Sequence, residues 1–223
     1  MFPESRTSLI VALASLCAAG CLADGSKPNP NVTPPSPDAG PGPEVFTASR
    51  KSKVRFKRTY RIRESLARAL ELDRDTLCVE VGGTSCFELH EVGLGGVEPY
   101  DLTIYEPSET VGVSAAIAAD RVVLSACKAR VDQDLTDLSD ALLLDGLEID
   151  GDGGLDDPTS PSTRAVVDTM YRRLLSRKAS ASEVDAIVAF YSEVSGGMST
   201  RPARDWALLS CYAVGTSLEW LFY

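Results

Sequence analysis

Seven prolines within twenty-one residues divide this chain. Pro28, Pro30, Pro34, Pro35, Pro37, Pro41 and Pro43 punctuate Asp24 to Glu44, with Gly, Asn and Ser between them. Each proline removes a backbone donor, and so polar a run has too few apolar groups to offset its ordering entropy. It reads as an extended, partly polyproline II tether. Folding is thereby confined to the residues C-terminal to it. The expected organisation is a targeting segment over 1–20, a tether over 21–46 and a single domain over 47–223. About 177 residues suffice for one sizeable core. At about 3.1 Å per residue the tether spans up to roughly 70 Å.

Ahead of the tether, Arg6 is followed by Thr7 to Ala19 without a charge, a stretch dominated by Leu9, Ile10, Val11, Leu13 and Leu16. It falls short of the roughly 20 residues a membrane span needs and has the length of an export signal's apolar region. The segment closes on Ala18-Ala19-Gly20-Cys21. Small residues before a Cys resemble the bacterial lipobox, with Ala18 where Leu is usual. That resemblance implies a lipoprotein whose Cys21 is acylated and becomes the mature N-terminus. Buried acyl chains, at about 0.8 kcal/mol per CH₂, would hold it to a lipid membrane, with the folded part in the cell envelope outside the cytoplasm. An ordinary secretory signal cut after Ala23 is the alternative.

Charge and cysteine usage narrow the class further. Residues 45–74 carry ten Lys or Arg against three acids, whereas residues 75–223 carry ten against 25. So acidic a body is a poor nucleic-acid binder. The basic run Arg50 to Arg63 suits either anionic headgroups or a place on the acidic body itself. Cys17 belongs to the signal and Cys21 to the lipid, leaving Cys78, Cys86, Cys127 and Cys211. An even count in an exported chain suggests two disulfides. Gly82-Gly83 lets the chain turn back between Cys78 and Cys86, which favours that pair and leaves Cys127–Cys211. A zinc site competes only weakly, because no Cys-x₂-Cys occurs and His90 is the one histidine.

Apolar periodicity predicts a mainly α fold. Tyr60 to Leu72 reads as a helix, although Val54 to Ile62 also alternates like a strand. Ser114 to Asp132 reads as another, with Ile117, Val122, Val123, Leu124, Cys127 and Val131 inward. Ser160 caps a helix with Pro161 at N1, running to about Arg177. Ser180-Ala181-Ser182-Glu183 is a capping box opening the next. The short link makes these two an antiparallel pair. Pro202 starts a nearly uncharged helix through Trp206, Leu209, Tyr212, Val214, Leu218 and Phe222, expected at the centre. Residues 80–112, rich in Gly, Pro and β-formers, read as a loop-rich insert with room for a short hairpin. The expected fold is a disulfide-stapled helical bundle carrying that insert.

Tyr171-Arg172-Arg173-Leu174-Leu175-Ser176-Arg177, then Ala181-Ser182-Glu183-Val184, then Thr216 to Tyr223, form a pattern. It resembles the "YrrLLgR…t.eE" helix pair and "l.S.eFLy" ending of uncharacterised helical domains in exported bacterial proteins, which often stand beside c-type cytochrome modules. The resemblance implies an all-α domain and service near a cytochrome-bearing or respiratory assembly. It carries no catalytic residue over, and this chain has no Cys-x-x-Cys-His for covalent haem.

Chemistry-bearing residues are sparse. His90 in Glu88-Leu89-His90-Glu91 is the natural centre for a metal or proton-transfer site. Ser125-Ala126-Cys127-Lys128 matches Ser-x-x-Lys but falls mid-helix, and no Lys-Thr-Gly accompanies it. Asp150, Asp152 and Asp156 crowd a glycine-rich loop and are the Ca²⁺ candidates, although Gly154 and Leu155 break the EF-hand spacing. Tyr100 and Tyr105 lie after a glycine turn and suit an exposed binding surface. No motif calls for a cofactor. Taken together, these features suit an interaction or structural module with a membrane on one side and an envelope protein partner on the other. An accessory subunit of a cytochrome assembly, or an enzyme built around His90, are the alternatives.

Overall fold

Caps and apolar spacing place the C-terminal helices. The computed structural model describes residues 55–100, 102–106 and 112–222; the targeting segment 1–20, Cys21 and the tether 21–46 lie outside the described residues. Helix α4 spans Pro161–Leu175 and α5 spans Ala181–Ser195. Ser160 accepts from the Thr163 amide at 3.1 Å, with Pro161 in the first turn. At α5 the Ser180 hydroxyl accepts from Glu183 N (3.3 Å), and a Glu183 carboxylate oxygen accepts from Ser180 N (2.7 Å). Val166, Val167, Met170, Tyr171 and Leu174 are buried.

Arg177, in the turn between them, ties three segments together. Its guanidinium donates to both oxygens of Glu183 (2.9 and 2.7 Å) and both of Glu219 (2.7 and 2.8 Å). These Arg177 hydrogen bonds, with those from Ser180, hold the Glu183 carboxyl down to about 2. A carboxyl depressed on folding stabilises fully above its unfolded value of about 4.3, and the contribution is lost as pH falls through the folded value. Acid unfolding followed by circular dichroism is therefore expected to show stability declining between roughly pH 5 and pH 2. Glu183→Gln should be less stable at neutral pH and flatter across that window. An unchanged acid slope in this variant would remove Glu183 as the cause.

Helix α6, Pro202–Gly215, is the central element and packs on α4 and α5 and on α3 (Val113–Asp134). Trp206 is fully buried, and its indole N–H donates to Ile187 O at 2.9 Å. Gly215 allows close approach to α3, since a Cβ there would meet Val123 Cγ1 at 2.7 Å. The structure corrects the expectation of an unbroken helix to Phe222. The chain leaves α6 after Gly215, and Ser217 accepts from Trp220 N (3.3 Å) to open the short α7, Leu218–Leu221. A glycine end followed by a serine cap competes with helix continuation. The break buries Trp220 and Leu221 but leaves Leu218 exposed, and Leu209, Tyr212 and Phe222 half-buried.

A second correction concerns α3. Ile117 and Leu124, expected inward, are exposed together with Val113. The buried face is built instead on Ala115, Ala118, Ala119, Val122, Val123, Ala126, Cys127 and Val131. Small side chains let neighbouring helices approach closely, so the larger residues fall on the outer side. At the far end of α3, Asp134 accepts from the amides of Leu142, Leu143 and Leu144 and pairs with Arg130.

Helix α1, Thr59–Leu70, buries Ile62, Leu66, Ala69 and Leu70. The strand-like stretch before it amounts to one bridge, Phe56 with Phe222, their rings edge-on at 5.6 Å. Part of the basic run is spent on the body. Lys57 lies over the Trp220 ring at 4.3 Å, with burial lowering its pKa, and Arg63 donates to Arg74 O and pairs with Asp75.

Both disulfides pair as expected. Cys127–Cys211 joins α3 to α6 across a Cα separation of 5.8 Å. Cys78–Cys86, at 5.5 Å, closes a hairpin of β1 (Val79–Glu80) and β2 (Thr84–Ser85), with Gly82 and Gly83 at positive φ in the turn. The short α2, Cys86–Leu89, comes next, and buried Phe87 and Leu94 pin the insert to the core. The fold is thus a mainly α, disulfide-stapled bundle whose loop-rich insert contains a short hairpin. No helix among the described residues is long and apolar enough to cross a membrane.

Candidate functional site: the hairpin corner and the insert

The disulfide hairpin sets the surroundings of His90. Ser85 accepts from Phe87 N to start α2, and His90 ends it. This turns the imidazole back onto β1. His90 Nε2 stands 3.3 Å from Glu80 Oε1, and the other oxygen of Glu80 meets Arg121 Nη1 at 3.4 Å. All three side chains sit at the edge of solvent, with Arg121 the most open. The sequence neighbours Glu88 and Glu91 are not what His90 faces. Glu91 works through its backbone, its carbonyl accepting from Thr59 Oγ1 (3.0 Å) and Gly96 N (2.8 Å). Gly96 is required there, because a Cβ would meet Glu91 Cγ at 2.6 Å.

Sequence alone does not single out Glu80 and Arg121. Glu80 lies inside the Cys78–Cys86 loop, a signal that could have placed it beside His90. Arg121 is forty-one residues further on, with no local signal. One carboxylate oxygen of Glu80 and the two sulfurs of Cys78 and Cys86 lie within 4.8 Å of one another. They are the one group of three metal-ligating residues among the described residues. Joined as a disulfide, the sulfurs offer no thiolate.

The other sequence candidates lie elsewhere and are spent locally. Asp150, Asp152 and Asp156 do not gather their carboxylates. Asp150 Oδ1 accepts from Asp152 N (2.9 Å) and Gly154 N (2.8 Å), forming a self-capped turn. A Cβ on Gly154 would meet Asp150 Oδ2 at 2.7 Å. Lys128 of the Ser125–Lys128 pair is bound to Asp132 at 2.8 Å, one helical turn on. The insert does present a surface: Glu98 and Ile104 bridge, and the loop they close exposes Tyr100 (90%) with Leu102; Tyr105 beside it is exposed as well. A separate apolar groove runs between the end of α5 and the start of α6, lined by Phe190, Val194, Met198, Leu208 and Leu209.

Comparison with known proteins finds no matching family model, no matching curated protein and no matching solved structure.

Proposed function

We propose that this chain is a lipid-anchored envelope protein whose insert docks a protein partner. Cys21 carries the acyl chains, the proline-rich stretch holds the bundle off the membrane, and the exposed loop engages an envelope protein. The observation that carries the reading is that loop. Three large apolar side chains, Tyr100, Leu102 and Tyr105, are held out to solvent on a segment pinned by Phe87, Leu94 and a disulfide. Exposed aromatic side chains are the usual anchors of protein interfaces.

Chemical cross-linking in intact cells tests both halves. The chain is expected to give a discrete adduct. Tyr100→Ser with Leu102→Ser and Tyr105→Ser should abolish it while leaving the melting temperature unchanged. Cys21→Ser should release the protein from the membrane fraction. An adduct indifferent to the triple substitution removes the docking surface; an unacylated N-terminus at Asp24 by mass spectrometry removes the anchor.

A narrower reading, as accessory to a cytochrome-bearing assembly, rests on the C-terminal resemblance alone. Arg177, Glu183 and Glu219, which belong to the three motifs of the C-terminal resemblance, meet in a single ionic cluster. A cross-linked partner containing haem would select this reading.

A further inference from the structure

We propose that the Cys78–Cys86 hairpin is a redox-gated site for a thiophilic divalent cation, zinc by its donor set. Cys78, Cys86, Glu80 and His90 supply the four ligands once the disulfide is reduced. The geometry is close to what such an ion needs. Sγ of Cys78, Sγ of Cys86 and a Glu80 oxygen already lie within 4.8 Å of one another. His90 stands outside that group of three but adjoins it, its Nε2 3.3 Å from Glu80 Oε1, and would swing in to complete the set. Nitrogen and oxygen ligands at 2.0–2.1 Å in a tetrahedron stand about 3.3 Å apart, so those two atoms are already spaced as neighbouring ligands. Two thiolates bound at about 2.3 Å stand roughly 3.8 Å apart, which the 5.5 Å Cα separation admits by side-chain rotation alone.

Charge and scaffold agree. A divalent cation with two thiolates and one carboxylate leaves one net negative charge, and Arg121 Nη1 already lies 3.4 Å from Glu80 Oε2 to offset it. Backbone hydrogen bonds hold the register alongside the S–S bond. Cys86 N donates to Cys78 O at 3.1 Å, and Val79 and Glu80 pair with Ser85 and Thr84. The Cys127–Cys211 pair contributes to no such ligand group among the described residues.

The chemistry balances with a dithiol reductant. Its two electrons and two protons break the Cys78–Cys86 bond to give two thiols, and the reductant leaves as its own disulfide. Binding of the cation then releases the two thiol protons to solvent.

Cobalt(II) serves as the optical probe on the full chain, before and after treatment with a water-soluble phosphine under anaerobic conditions. The untreated protein is expected to bind none at the site. The reduced protein should bind one equivalent, with a thiolate-to-cobalt charge-transfer band and tetrahedral d–d absorption. Cys78→Ser should remove most of the charge-transfer intensity. Glu80→Gln and His90→Ala, which keep every sulfur, should each weaken binding at least tenfold. A reduced chain without the band overturns the proposal. So does a band that survives Cys78→Ser and Glu80→Gln unchanged, which would place it on Cys127 and Cys211.

Discussion

Replacing Cys127 and Cys211 together by Ala is expected to destabilise the domain by roughly 4–5 kcal/mol, the larger of the two disulfide effects. The bond links residues 84 apart in sequence, and the loop it closes contains α4 and α5. On the chain-entropy model the loss of so long a loop costs about 4.5 kcal/mol, whereas the 8-residue separation of Cys78 and Cys86 gives only about 2.5 kcal/mol. Burial does not separate the two bridges, since all four cysteines are buried and truncation leaves a cavity at either; the difference rests on loop length. For a domain of this size the loss corresponds to a fall in melting temperature of about 10–15 °C. Urea denaturation of the two double-alanine variants measures the order directly. Equal losses from the two pairs would show that loop length is not what makes the long bridge important.

The parts of the fold legible in sequence are those whose signals are local. Caps are written in four consecutive residues, so Ser160-Pro161 and Ser180 to Glu183 placed α4 and α5 at their starts. The hairpin was foreshadowed by two glycines between two cysteines. Periodicity failed where a helix has apolar residues on more than one side. On α3, alanines rather than Ile117 and Leu124 take the buried face, a choice made by how closely α6 approaches at Gly215. The end of α6 is not legible in the sequence because Trp220 and Leu221 keep an apolar rhythm past the serine cap that breaks the helix. At the candidate site, His90 was singled out, but its partners depend on the path of the hairpin. Glu80 lies ten residues back and Arg121 sits on another element. The acidic loop read as a metal candidate for the opposite reason: composition showed the carboxylates but not that Asp150 turns inward to its own loop amides.

The second large effect is expected at a residue that no motif marked. Asp134 ends α3 with its side chain fully buried. Its oxygens accept from the amides of Leu142 (3.1 Å), Leu143 (2.7 Å) and Leu144 (3.1 Å), and it is ion-paired with Arg130, itself nearly buried. A carboxylate removed from water costs several kcal/mol and is retained only where partners fill its oxygens. Asp134→Ala leaves three amides and a guanidinium without their acceptor. Arg130 Nε already has no hydrogen-bond partner, so the guanidinium has little to fall back on. Breaking such a pair from one side is expected to cost about 3–5 kcal/mol. Asp134→Asn, which keeps one acceptor oxygen but turns an NH₂ toward donors, should fall between the two. Adding Arg130→Met to Asp134→Ala should restore the share due to the stranded cation and none of the share due to the amides, a separation that a double-mutant cycle reads. The amides themselves report independently. Leu143 and Leu144 are buried in the core, so hydrogen exchange at 142–144 should accelerate in Asp134→Ala far more than exchange within α6. If those amides stay protected, the loop is held by its leucines alone and the carboxylate serves only to neutralise Arg130.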